Sequence, residues 1–156
     1  MAARIDIVIE DAAWRKEGRG FPVELRRAAR TALERTTRAG SLTILLGNDR
    51  RLAELNAQFR GRSGPTNVLS FPSADPDYLG DVAIAHATAA REAQAEDKSL
   101  RDHAIHLAVH GVLHLAGYDH VTARDARVME PLEVAILATL GIADPYQTRI
   151  AAAHSG

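Results

Sequence analysis

Five of the seven histidines in this 156-residue chain fall between positions 103 and 120. The centre of the run reads His110-Gly-Val-Leu-His114-Leu-Ala-Gly117-Tyr-Asp-His120. Residues four apart share one face of a helix, so His110 and His114 can aim their imidazoles at a single point. A third ligand from the same short helix would have poor geometry. Gly117 offers another route, because glycine readily takes the left-handed conformation that ends a helix and reverses the chain. His120 can then swing back toward the pair. Three neutral imidazole nitrogens at about 2.0–2.1 Å would leave a tetrahedral zinc ion with its fourth position open, as a catalytic site requires. There is no cysteine, which excludes thiolate ligands and disulfides together. His103 and His106 lie on the same helix as supporting or surface residues, and His86 and His154 are assigned no role.

The spacing resembles the metzincin protease motif, His-Glu-x-x-His-x-x-Gly-x-x-His, with one difference that bears on the chemistry. Gly111 stands where that motif has its catalytic glutamate. The usual general base for peptide hydrolysis is therefore missing. A protease would need a displaced carboxylate such as Asp119. No Ser/His/Asp arrangement or phosphate-binding loop offers a competing mechanism.

Four blocks, taken in order, resemble the YbeY family of rRNA maturation endoribonucleases. They are Asn56-Ala-Gln-Phe59-Arg60-Gly61, Pro65-Thr66-Asn67-Val68-Leu69-Ser70-Phe71-Pro72, Leu79-Gly80-Asp81-Val82-Ala83-Ile84, and the histidine block from His106 to His120. With Met129, Glu133 and the ending from Gly141 to Tyr146, they span roughly residues 50 to 146, and the first 40 residues add little. The resemblance implies a compact domain with a metal-bearing helix beside a small sheet. It also implies single-strand-selective RNA cleavage, maturation of 16S rRNA 3′ ends, a ribosome quality-control role, and the small ribosomal subunit as partner. Arg60 matches the arginine of the family's Tyr/Phe-Arg-Gly block.

A histidine-held zinc ion would polarise a phosphoryl oxygen and acidify water toward neutral pH. Arg60, expected in a loop of glycine and small residues, is the candidate catalytic cation, since a guanidinium can contact phosphate bidentately. Asp119 could orient an imidazole or cap the turn. Asp81 could brace the helix or its turn, and Ser70 and Asn67 could meet phosphate or simply belong to a core strand. None of these four is assigned a catalytic role. Water and the RNA 2′-hydroxyl both remain open as nucleophile. Nickel or copper could occupy the same nitrogens as zinc.

The formal net charge of −1 hides an asymmetry: residues 1–62 hold 13 Lys+Arg against 8 Asp+Glu, whereas residues 63–156 hold 6 against 12. Arg26, Arg27, Arg30, Arg50, Arg51, Arg60 and Arg62 could form a backbone-binding rim for RNA, with salt-sensitive and weakly sequence-selective binding. Three Phe, three Tyr and one Trp give poor support to a base-stacking platform. An assembly factor with a purely structural metal is the second alternative, after the protease. No apolar run nears the roughly 18 residues of a membrane span, and no secretory signal is visible. A cytoplasmic location is expected.

The elements that must position these residues read as one α+β domain over residues 1–150, a four-stranded mixed sheet packed with about five helices, followed by a frayed tail from Ala151 to Gly156. Strands are expected at Ile5–Ile9, Leu42–Leu46, Val68–Phe71 and Tyr78–Ile84 by alternation and β-branched content. A loop carries Gly18 and Gly20, then a helix runs from Pro22 to Gly40. A short helix carries Leu52 and Leu55, and Arg60 to Pro65 reads as loop. Three helices follow: one from His86 to Ala95, one opening at Ser99 with a capping box and running to Gly117, and one opening at Thr122 with Met129, Leu132, Ile136 and Leu140 on one face.

Overall fold

The computed structural model describes residues 4–60, 66–118 and 123–146, with the side chains of Arg60 and Ala123 outside the description. The expected loop 61–65, Asp119, His120, Thr122 and the tail 151–156 fall outside the described residues.

Strands β1 (Ile5–Ile9), β2 (Ser41–Gly47), β3 (Val68–Pro72) and β4 (Tyr78–Ala85) form one sheet in the order β1-β2-β4-β3. β1, β2 and β4 are parallel and β3 is antiparallel to β4, so the sheet is mixed as expected. Parallel neighbours need long crossovers. Helix α1 (Gly20–Glu34) lies between β1 and β2, and α2 (Asp49–Arg60) follows β2. Alternation along the strands divides their side chains between two faces. Leu42, Ile44 and Leu46 of β2, with Val82 and Ile84 of β4, meet Leu25, Ala28, Ala29 and Ala32 of α1 in the main core. Leu45, Ala83, Ala85, Leu69 and Phe71 point the other way, onto Leu52 and Leu55 of α2.

Helices α3 (His86–Ala95), α4 (Leu100–Leu115) and α5 (Ala123–Thr139) complete the domain. α4 is buried along most of its length, with Ala104, Ala108, Val109, Val112 and Leu113 fully buried, the pattern of a central helix. Ser99 caps it, its Oγ accepting from the Asp102 amide at 3.0 Å. The far end closes at Gly117 in the left-handed region, φ 102°. There the amides of Gly117 and Tyr118 donate to the carbonyls of His114 and Leu113, so the chain turns where the sequence places the turn. Met129 and Ile136 of α5 are buried in the main core, with Leu132 and Leu140 packed against it. No helix among the described residues is long and apolar enough to cross a membrane.

Two local expectations are corrected. α1 ends at Glu34, with Arg35 as its cap; Gly40, at φ 147°, instead enters β2, pressed against the Asp77 backbone and Leu79. The stretch before Gly18 holds a 3-10 helix, Ala12–Glu17, opened by Asp11. It buries Trp14, whose indole N–H donates to the Gly47 carbonyl at 2.9 Å and whose ring stacks on Phe21. Neither period 2 nor period 3.6 marks so short a turn.

α4 lies on the sheet at unusually close range. A Cβ added at Gly111 would stand 2.5 Å from Val82 Cγ1, 3.0 Å from Val82 Cγ2 and 3.2 Å from Ser70 Oγ. The Ser70 hydroxyl donates to the Gly111 carbonyl at 3.0 Å, tying β3 to the helix at the same point. Overpacking of this kind costs about 1–3 kcal/mol. Gly111→Ala should therefore lower unfolding free energy by that amount in denaturant titrations, and adding Val82→Ala should recover part of it. Equal stability of Gly111→Ala and the parent would contradict the contact.

Candidate metal centre

At about 100° per residue, His103, His106, His110 and His114 lie along one flank of α4, to the side of the line through Gly111 that meets the sheet. Successive ring centroids stand 6.2, 6.4 and 4.6 Å apart. The last pair converges most closely, with Nε2 of His110 3.1 Å from Nε2 of His114. Two nitrogens bound to one tetrahedral zinc at 2.0–2.1 Å would lie about 3.3–3.4 Å apart, so the pair fits one cation with little adjustment. Among the described residues no three His, Cys, Asp or Glu side chains gather as a complete cation site. The expected third ligand, His120, lies outside the described residues, two positions beyond the turn at Gly117 and Tyr118.

Behind the pair lies a residue that sequence reading left without a role. Glu133 of α5 is 0% exposed, and among the described residues it is the one acidic side chain buried in the core. Its Oε1 accepts from His110 Nδ1 at 3.2 Å. Its Oε2 accepts from His106 Nε2 at 2.6 Å and from the Tyr146 hydroxyl at 2.8 Å. Burial pushes the carboxyl up, but the hydrogen bonds from His106 and His110, and the charges of those rings, outweigh it and hold the group at about 2. With two ring nitrogens and a phenol hydroxyl on its two oxygens, Glu133 is placed as an acceptor, and the ring nitrogens facing it as donors. With its Nδ1 protonated, a neutral His110 carries its lone pair on Nε2, the atom that faces His114. A signal was present in the sequence: position 133 falls on the same helical face as Met129 and Ile136, and an acid in an apolar stripe needs partners.

The other sequence candidates are distributed as follows. His103 is buried and donates through Nε2 to Glu92 Oε1 at 2.9 Å. The Asn67 amide donates to the same carboxylate at 3.0 Å, and the Ser70 hydroxyl is turned to Gly111, so both act within the packing. Asp81 does not brace α4: it is exposed on the opposite face of the sheet, where the Tyr78 hydroxyl donates to it. The backbone of Arg60 closes α2 rather than lying in a loop, and its side chain is outside the described residues. Among the described residues, the arginines of α1 and those of α2 do not share one rim, because the two helices cover opposite faces of the sheet. Arg26 donates to the Ile5 carbonyl, Arg50 pairs with Glu54, and Arg51 pairs with Glu10.

Among the described residues, two hollows flank the sheet. The larger, about 970 Å³, lies between α2 and the open strands and is lined by Leu45, Leu55, Phe59, Phe71 and Tyr78, with no histidine. The smaller, about 370 Å³, is lined by Asn67, Val68, His103, His106, His110 and Tyr146, so His110 opens onto it. Of these two, the smaller is the one lined by histidines.

The environment of His103 carries its own prediction. Burial pushes its pKa below 6.5, against the hydrogen bond it donates to Glu92, while the charges of Lys98 and His106 add to the lowering. A depressed histidine favours the fold in its neutral form. Its contribution is complete above pH 6.5 and is lost as pH falls through the lower folded-state value. The loss of stability of the metal-free chain on acidification below neutral pH should be shallower in His103→Gln; an identical slope would refute this.

Gly111 also settles the comparison with the protease motif. It faces Val82 with no room for a Cβ, so position 111 cannot present a carboxylate to the histidine pair.

Residues 15–141 match the family model "Endoribonuclease YbeY". Among curated proteins, the chain is 46% identical to an Endoribonuclease YbeY of Maricaulis maris over 147 residues, covering 91% of each. It is 46% identical to one from Rhodopseudomonas palustris over 151 residues, covering 90% of this chain and 80% of the relative. The solution structure of TM1509 from Thermotoga maritima matches the fold with a TM-score of 0.59 at 21% identity, covering 94% of this chain and 92% of the other. On the strength of that family match and of relatives near half-identical over nine-tenths of its length, the chain belongs to the YbeY endoribonuclease family.

Proposed function

We propose that this chain is a zinc-dependent endoribonuclease that cleaves single-stranded RNA in the cytoplasm and acts in 16S rRNA 3′-end maturation and ribosome quality control. The observation that carries the proposal is the 3.1 Å approach of the His110 and His114 Nε2 atoms, with the other nitrogen of His110 donating to buried Glu133. Family membership supplies the substrate class. His110, His114 and His120 are the proposed ligands, and the left-handed turn at Gly117 supports the return of His120. When bound, the zinc ion would supply Lewis acidity at the scissile phosphate and acidify a water molecule.

The chain's own residues account for the rest. The histidines hold and orient the cation, and α4, pinned to β4 at Gly111, keeps them rigid. Arg60 is the proposed phosphate contact, meeting charge that develops on the phosphoryl oxygens. Phe59, 62% exposed beside it, is a surface ring that a base could stack on.

Cleavage of matched single-stranded and duplex RNA, read together with bound metal, tests the proposal. The zinc-loaded parent should cut the single strand and spare the duplex. His114→Ala should lose both zinc and cleavage, whereas Arg60→Glu should keep its zinc and lose cleavage. Cutting by metal-free parent at the loaded rate would overturn the metal's role. A His114→Ala protein that still supports ribosome assembly in cells would favour a binding role over catalysis.

A further inference from the structure

The carboxylate of Glu133 receives three hydrogen bonds from two parts of the chain: His110 and His106 on α4, one turn apart, and Tyr146 beyond the end of α5. The carboxylate itself is sealed from solvent, and the His106 and His110 side chains are only 13% and 16% exposed. Burying a carboxyl group is expensive unless its oxygens are hydrogen-bonded. A purely structural need at this point of the core would be met more cheaply by an apolar residue, as at Met129 and Ile136 on the same face. The arrangement also has a direction. His106 and Tyr146 both donate to Oε2, leaving Oε1 aimed at Nδ1 of His110. A ring that donates through Nδ1 exposes its lone pair at Nε2, and rotation of that ring would break the bond to Glu133.

We infer that Glu133 is a positioning residue for the cation, holding His110 in the tautomer and orientation that present Nε2, with His106 and Tyr146 holding Glu133 in turn. The inference rests on the metal-centre proposal and deepens it by naming the group that prepares a ligand before the cation arrives. Supporting partners of this kind typically change metal affinity by about 10- to 100-fold when removed.

Zinc affinity, measured by competition with a chromophoric chelator, tests it alongside the visible spectrum of the cobalt-substituted protein. Glu133→Gln keeps the shape but replaces one acceptor oxygen with an NH₂ donor, so it cannot accept from His110 and His106 together. It should bind zinc about 10- to 100-fold more weakly than the parent and shift the cobalt bands. Tyr146→Phe, which removes one donor and leaves the carboxylate, should show a smaller loss. Parent-like affinity in a folded Glu133→Gln protein would overturn the positioning role while leaving the metal centre standing. A parent that binds neither zinc nor cobalt would overturn both. Should Glu133→Gln fail to fold, NMR of the imidazole nitrogens in the metal-free parent decides: the inference requires His110 protonated at Nδ1 and bare at Nε2, and the opposite tautomer would refute it.

Discussion

The contact on which the site depends is the approach of α4 to β4 at Gly111. With no Cβ there, the helix comes down onto Val82, and the Ser70 hydroxyl fastens it through the Gly111 carbonyl. That contact fixes the rotation of the helix about its own axis. Once the rotation is set, His103, His106, His110 and His114 share a flank to the side of the line that meets the sheet. The same glycine that removes the protease motif's carboxylate lets the helix sit where its histidines can converge. Close packing transmits such constraints because interiors are nearly incompressible.

Electrostatics then refine what packing roughly places. The flank meets α5 at Glu133, a buried acid on the helical face of Met129 and Ile136, satisfied by donors from its neighbours. A second pair, His103 with Glu92, repeats the motif farther back along α4, where burial favours the neutral ring. Both histidine–carboxylate contacts thus lie along one flank of α4, while the opposite side of the sheet carries α2 and a larger apolar hollow. The surface arginines are dispersed over both faces, and ion pairs as exposed as Arg50 with Glu54 contribute little to stability.

Much of this was legible beforehand, for reasons visible in particular residues. The β-branched alternation of Ile5–Ile9, the Ser99 cap and the Gly117 turn are local signals, set by dihedral preference and hydrogen bonding within a few residues, and they hold. The His110–His114 pair was legible because helical spacing alone sets its geometry. What escaped depends on contacts distant in sequence. Glu133 gains its role from a helix 23 positions upstream. Asp81 reads as a partner for α4 until strand alternation sends it to the other face, and the described arginines of α1 and α2 divide because those helices cover different sides. Gly40 suggested a helix end, but its left-handed backbone serves the entrance to β2 against Asp77 instead. The 3-10 turn around Trp14 is too short for any periodicity to mark.

X-ray absorption at the zinc edge, on freshly purified protein loaded with one equivalent of zinc, addresses the central claim most directly. Imidazoles converging on one cation predict a nitrogen/oxygen shell at about 2.0–2.1 Å, with the outer-shell scattering of three histidine rings and one further light ligand. Zinc surrounded by oxygen alone, or failing to stay with the protein through desalting, would contradict the account.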